Sequence, residues 1–150
     1  MEVLEFLIPN EWGSQLKDIF MNIDVEIYDW VIGENTEILG EGNESIFDTL
    51  TMSGRDFLEN INLPNYYVIH ALFLAYPKGS LFEPINDFDD FFRSDCKIAL
   101  IIIDCTYVDL YAKDSAIIQQ IMINALEFNY TNIRTLSDII EMKKYFQPHL

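Results

Sequence analysis

The chain has 150 residues and carries 25 Asp and Glu against 9 Lys and Arg, a net charge of −16. Half of the residues are hydrophobic and 14% are aromatic, which excludes an acidic disordered tail and predicts a single globular domain over residues 1–150. No apolar stretch approaches the roughly 20 residues that cross a bilayer, so we expect a soluble, cytoplasmic protein without membrane contact.

Hydrophobic periodicity divides the chain into strands and helices. Apolar residues that recur every three or four positions predict helices, and alternating or continuous apolar runs predict strands. In chain order we predict a strand over 3–8, a helix over 10–23, strands over 25–32 and 36–39, a helix from 53, a strand over 66–76, a short helix after 86–87, strands over 97–103 and 106–113, a helix from 114, an edge strand over 132–135 and a last helix that ends at Pro148.

Two turn sequences are predicted to join strands as hairpins. Residues 33–35, Gly-Glu-Asn, stand between the second and third strands, and their residue types favour a tight turn. Asp104 and Cys105 stand between the strands over 97–103 and 106–113. We therefore interpret Asp104-Cys105 mainly as a bend between two strands.

These elements predict the fold class. Hairpins combined with crossover helices favour an α+β fold, or an irregular α/β fold, with a mixed β-sheet flanked by about four to five helices. The run over 66–76 is apolar on both faces and belongs in the middle of the sheet. Cys96 and Cys105 lie at opposite ends of one predicted strand, too far apart for a disulfide, so we expect two free thiols.

Negative charge is distributed unevenly along the chain. Residues 1–50 hold twelve acids and one base, a net charge of −11, and Asp87, Asp89 and Asp90 form a second group. Such a field repels nucleic acid and steers the protein toward a basic protein surface. Solubility alone is the other explanation of the acidity. Asp87 and Asp90 also suit the first turn of a helix, and the three aspartates together could bind a hard cation, although they lack the glycine and the terminal glutamate of an EF-hand.

Motifs with known chemistry are missing from the sequence. It has no glycine-rich phosphate loop, no G-x-S-x-G elbow and only four Cys and His residues, so we predict no cofactor and no metal. His70 lies within an apolar strand and His149 in a terminal tail. The acids beside Cys105 oppose a Cys105–His70 nucleophile pair.

A second candidate site would be built from polar residues near the bend. A pocket near His70, Asp104 and Tyr107 would belong to a small-molecule-binding domain or an unrecognised enzyme. A two-carboxylate acid/base site such as Asp104 with Asp109 requires one raised pKa, which the sequence does not reveal.

Two blocks of sequence resemble a known family. They are "IPNEWGSQLKDIF…IDVEIYDWVIGEN" and "IIIDCTYVDLYAKDSAIIQQIMINALEFNYTNI", which cover about two thirds of the chain. Together they resemble an uncharacterised family of small bacterial proteins catalogued only as a domain of unknown function. The shared positions are Ile8-Pro9-Asn10, Tyr28 with Trp30, and the Asp104 hairpin that leads through Tyr111 and Lys113 to a helix. The resemblance implies a fold and no activity.

The leading hypothesis is a small acidic binding protein. It would act as an inhibitor or immunity-type antagonist that docks on a basic surface of a partner protein, and its oligomeric state stays open. The predicted contact residues lie on the first hairpin and at the start of the short helix: Asp29, Trp30, Glu34, Glu37, Asp87, Asp89 and Asp90.

Overall fold

The computed structural model describes residues 1–148, so His149 and its predicted tail lie outside the described residues. The described chain contains eight strands: β1 (Glu2–Leu7), β2 (Tyr28–Ile32), β3 (Glu37–Gly40), β4 (Thr51–Ser53), β5 (Tyr66–Pro77), β6 (Ile98–Ile103), β7 (Tyr107–Ala112) and β8 (Thr131–Leu136). Its five α-helices are α1 (Gln15–Ile19), α2 (Gly54–Ile61), α3 (Phe88–Arg93), α4 (Ser115–Glu127) and α5 (Ile139–Tyr145). A short 3₁₀ helix, Val25–Ile27, precedes β2.

The strands form one sheet, and the predicted α+β class is confirmed. The strand order is β4-β2-β5-β6-β7-β1-β8, with β3 pairing with β5. β5 lies in the middle of the sheet, as its apolar run predicts. The described strand pairs are all antiparallel, whereas we expected a mixed sheet. The difference arises because α1, α2 and α4 each connect strands that are not neighbours in the sheet, and α3 connects the antiparallel neighbours β5 and β6, so no helix forms a crossover between adjacent parallel strands.

Alternation along the strands gives the sheet two apolar faces. The first face, which includes Leu4, Phe73 and Leu100, packs against α1, α2 and α4. The second face, which includes Val3, Leu74 and Tyr111, packs against α3 and α5. The sheet is therefore sandwiched between two helical layers.

The hairpin predicted at residues 33–35 is wrong. β2 and β3 do not pair with each other, because both pair with β5, β2 over residues 73–77 and β3 over residues 66–70. The Gly33 N–H donates to the Leu72 carbonyl at 2.9 Å, so the chain continues along the same edge of β5. A Cβ at position 33 would lie only 2.8 Å from the Leu72 Cβ, which is why glycine suits this position.

The hairpin predicted at Asp104 and Cys105 is confirmed. β6 and β7 pair from Ile98↔Ala112 to Ile103↔Tyr107, which leaves three residues in the connection. Asp104 and Cys105 both have positive φ angles, 51° and 64°, which is the backbone of a tight hairpin turn. The Cys105 N–H also donates to the Ile69 carbonyl at 3.0 Å, so the turn is attached to β5.

The first helix is shorter than the apolar spacing predicts. It begins at Gln15, because Gly13 exchanges backbone hydrogen bonds of 3.0 and 2.8 Å with Tyr66 and is held outside the helix. Trp12 consequently lies outside the helix with 44% of its surface exposed. The helices predicted from 53, after 86–87 and from 114 begin with the N-caps Ser53, Asp87 and Asp114, each of which accepts a backbone N–H of its own helix.

Candidate functional site: an acidic end and a charged cavity

One end of the molecule exposes many carboxylates and carries a strong net negative charge. The segment over residues 33–60, which we call the acidic end, contains β3, β4 and most of α2. It carries seven exposed acids and one base, Arg55, a net charge of −6. The seven acids are Glu34, Glu37, Glu41, Glu44, Asp48, Asp56 and Glu59. β3 pairs with one edge of β5, β4 lies farther out on the same side, and α2 follows β4 directly in the chain. The negative charge is therefore gathered at one side of the sheet.

Buried aromatic and aliphatic residues hold the acidic end in place. Ile46 is 8% exposed, and the Ile46 N–H donates to the Ile38 carbonyl at 3.0 Å. Phe47 packs against Phe57 and Phe73, with ring centroids 6.1 and 5.5 Å apart. The loop between β3 and β4 is thus attached to the first sheet face and presents its acids outward.

Two shallow cavities open on the acidic end. One has a volume of about 340 Å³ and is lined by Glu41 and Glu44. The other has a volume of about 280 Å³ and is lined by Asp48, Asp56 and Glu59. In residues 1–148, Glu59 is the only one of the seven acids with an ion pair to a base, through Arg55 at 3.6 Å on exposed helix surface. Most of this negative charge therefore has no compensating charge in contact.

The contact residues predicted on the first hairpin separate into three environments. Glu34 and Glu37 are exposed and belong to the acidic end. Asp29 is half-buried, and its Oδ2 accepts a hydrogen bond from the Gly79 N–H at 3.2 Å. Trp30 is wholly buried, so its prediction as a contact residue is wrong. Its ring stacks on Phe57 at 3.9 Å between centroids, and its Nε1–H donates to a backbone carbonyl at 2.9 Å.

The predicted second group of contact residues, Asp87, Asp89 and Asp90, forms hydrogen bonds and an ion pair within the fold. Asp87 is the N-cap of α3, and its Oδ1 accepts the Asp90 N–H at 2.9 Å. The Asp90 Oδ2 accepts the Asn86 N–H at 2.9 Å. Asp89 is paired with Lys143 of α5 at 3.0 Å. These contacts fit the interpretation as a helix start and leave this group less free to bind a partner.

A charged cavity, which sequence reasoning missed, lies at the other side of the sheet. It has a volume of about 530 Å³, and β1, β7 and β8 line it. Its polar residues are Glu5, Tyr107, Asp109, Asn132 and Arg134. The sequence had indicated Tyr107 and Asp109 as candidate site residues, but not their neighbour Glu5, a charge in the middle of the apolar strand "VLEFL".

Asp109 is the perturbed acid of this cavity. Burial, together with the negative charge of Glu5, raises the pKa of Asp109 to about 7. Glu5 lies directly opposite Asp109 on the neighbouring strand, and Arg134 lies opposite Glu5 on its other side. The carboxyl partner of Asp109 is therefore Glu5 and not Asp104, the partner that the sequence suggested.

The three residues of the second predicted site do not line the charged cavity together. Tyr107 lines the charged cavity, but His70 and Asp104 are not among the residues that line it. Asp104 is exposed at the hairpin turn, and His70 is half-buried with its Nδ1 unpartnered in the described chain. Cys96 and Cys105 are both free, as predicted.

Within residues 1–148, no three His, Cys, Asp or Glu side chains converge as a metal site. Over the same range, every helix is too short or too polar to cross a membrane.

The fold and these sites define a small acidic α+β protein with one antiparallel sheet between two helical layers. The chain belongs to the family described as "Protein of unknown function (DUF2691)", whose model matches residues 1–147. This confirms the resemblance seen in the sequence. The chain is also similar to the uncharacterized protein YncE of Bacillus subtilis (strain 168), with 30% identity over 139 residues that cover 90% of this chain and 91% of YncE. No solved structure matches.

Proposed function

We propose that the protein binds a basic protein partner through its acidic end. The observation that carries this proposal is the concentration of seven exposed acids against one base in residues 33–60. Like charges gathered on one surface produce a field that raises the encounter rate with an oppositely charged surface. The same field disfavours nucleic acid, whose phosphates carry the same sign.

The shape of the acidic end supports a protein partner with projecting cations. Each of the two cavities there has at least two carboxylates in its lining, Glu41 and Glu44 in one and Asp48, Asp56 and Glu59 in the other. A lysine or arginine side chain that enters such a cavity meets two or three acceptors at once. Charge-assisted hydrogen bonds of this kind fix orientation as well as affinity.

Within this class, we propose an inhibitor or immunity-type antagonist. Such a protein acts by covering a basic functional surface of its partner and needs no reactive group of its own. An antagonist of this type would explain why the acids are exposed and held on a well-packed end.

Capture from a lysate of the native host tests the proposal. The bait would be the wild-type chain, compared with the triple variant Glu37→Gln, Glu41→Gln, Glu44→Gln. A matched control removes three exposed acids elsewhere: Glu2→Gln, Asp104→Asn, Glu127→Gln. We expect wild type and control to retain a protein with a basic surface at low salt and the acidic-end variant to lose it. Equal capture by all three baits would contradict the proposal.

A further inference from the structure

The charged cavity lies at the β8 edge of the sheet, and Glu5 and Asp109 enter it from the second sheet face. Its lining comes entirely from β1, β7 and β8 and includes no residue of α3 or α5, the helices that pack on that face. Its volume of about 530 Å³ falls within the usual range for small-molecule sites, roughly 300–1,000 Å³. It lies across the sheet from the acidic end, so a ligand here is independent of the protein partner proposed above.

Two opposite charges in this cavity influence each other without contact. Arg134 lowers the pKa of Asp109, and Asp109 raises the pKa of Arg134, although Glu5 affects each of them more strongly. Glu5 stands between them in the strand register. In the described chain no hydrogen bond or ion pair joins Asp109 to Arg134, so a gap separates them inside the cavity.

Glu5 positions Arg134 and leaves part of it free. The Arg134 Nε donates to the Glu5 Oε2, and this carboxylate is 15% exposed while Arg134 is 61% exposed. The terminal Nη groups of Arg134 have no hydrogen bond within residues 1–148. A guanidinium held at Nε presents its two Nη groups as a fork, which suits a carboxylate.

The Asp109 carboxyl, in contrast to Arg134, needs a hydrogen-bond donor. It is mostly buried, and no hydrogen bond to it is formed by any other residue of the described chain. A carboxylate that is largely withdrawn from water and has no hydrogen-bond partner within the protein gains from a charge-assisted hydrogen bond, which an ammonium group would donate while also being attracted by Glu5.

We propose that the cavity binds a small zwitterion with adjacent ammonium and carboxylate groups, the head group of an α-amino acid. The ammonium would donate to Asp109 and the carboxylate would accept from the Arg134 Nη groups. Leu7 and the half-exposed ring of Tyr107 add apolar surface beside these charges, so the site favours an apolar or aromatic side chain.

Binding should depend on pH through the charges around Asp109. The ammonium requires ionised Asp109, so affinity should fall about tenfold per pH unit below about pH 7. From β6 the residue opposite Asp109 is the apolar Ile101. The titratable or charged groups near Asp109 and Arg134 are Glu5 on β1, Tyr107 and Tyr111 on β7, Arg134 on β8 and Tyr145 on α5.

A screen with free amino acids tests the proposal. Each standard L-amino acid would be added to the full chain in a thermal-shift assay, and the strongest stabiliser would be measured by calorimetry. We expect one or a few apolar or aromatic amino acids to bind. The N-acetyl and amide derivatives of the best binder, which lack one charge each, should bind at least about tenfold more weakly. Stabilisation by none of the amino acids, or equal binding of both derivatives, would overturn the proposal.

Matched variants test whether Asp109 and Arg134 form the binding site. Asp109→Asn and Arg134→Gln should each weaken the best binder at least about tenfold. The controls Asp104→Asn and Arg55→Gln make the same changes at exposed positions outside the cavity and should bind as wild type does. Circular dichroism would check that each variant is folded. Unchanged affinity in folded Asp109→Asn and Arg134→Gln would place the ligand elsewhere and refute the assignment.

Discussion

Replacement of Asp109 by asparagine should stabilise the protein, and increasingly so as pH rises. Burial raises the pKa of Asp109 from 3.8 to about 7, so the folded state binds this proton more tightly than the unfolded state does. The stability that this protonation contributes is fully present below about pH 4 and is lost as pH rises through 7. Asparagine has no charge to bury, so the variant avoids this loss.

The size of the effect follows from the shift in pKa. About three pKa units correspond to about 4 kcal/mol between the protonated and ionised folded states. The gain in unfolding free energy of Asp109→Asn over wild type should therefore be about 1.5 kcal/mol near pH 5 and about 4 kcal/mol near pH 8. The gain in unfolding free energy thus increases by about 2.5 kcal/mol between these pH values. A difference in packing between Asn and Asp would shift both values equally and leave this increase unchanged.

Urea unfolding at several pH values measures this growth directly. Asp104→Asn removes the same charge from an exposed turn, so it separates the effect of burial from the effect of net charge. We expect most of the pH-dependent gain to be specific to Asp109. A gain for Asp109→Asn that stays constant from about pH 5 to about pH 8 would refute the conclusion that Asp109 ionises in a desolvated site.

Three further predictions concern packing and reactivity. The Asn124 amide donates to the carbonyls of Ile19, at the end of α1, and Met21, just after it, at 2.9 and 2.7 Å. Asn124→Asp, which cannot donate when ionised, should therefore lower the unfolding free energy by at least about 2 kcal/mol, and a neutral effect would contradict this role. A Cβ on Gly54 would lie 2.4 Å from the Val25 carbonyl oxygen. Gly54→Ala should therefore lower the unfolding free energy by about 1–3 kcal/mol in the same assay, and an unchanged unfolding midpoint would contradict the close approach. Cys96 is buried in the second-face core, which raises the pKa of its thiol to about 12, whereas Cys105 is half-buried. A thiol reagent should therefore modify one cysteine of the native protein and two after unfolding, and native modification of Cys96 would contradict its burial in that core.

Local signals predicted much of this fold. The apolar run of β5, the alternation of Tyr107, Asp109 and Tyr111, and the hairpin at Asp104 each depend on residues close in sequence, and the structure contains all of them. The starts of α2, α3 and α4 lie where they were predicted, since an N-cap and the N–H that it accepts lie two or three residues apart, whereas α1 begins at Gln15 and not near residue 10.

Long-range pairing explains what the sequence did not reveal. The turn chemistry of residues 33–35 favours a hairpin locally, but β5 offers both flanking strands an edge, and a local pattern does not contain that information. The pair of Glu5 and Arg134 joins residues 129 positions apart, so no spacing rule could suggest it. Trp30 shows a different limit, because an aromatic residue in an acidic stretch suits an interface and a core equally well.

The salt dependence of association tests the role of the acidic end most directly. The association rate of the captured basic partner would be measured by stopped flow between about 25 mM and about 300 mM salt, for wild type, the acidic-end triple variant and the matched control. We expect the wild-type and control rates to fall by about tenfold or more as salt rises, and the acidic-end variant to associate slowly at low salt with a shallower dependence. A wild-type rate that does not change with salt, or an acidic-end variant that matches the control at every salt concentration, would contradict the proposed function.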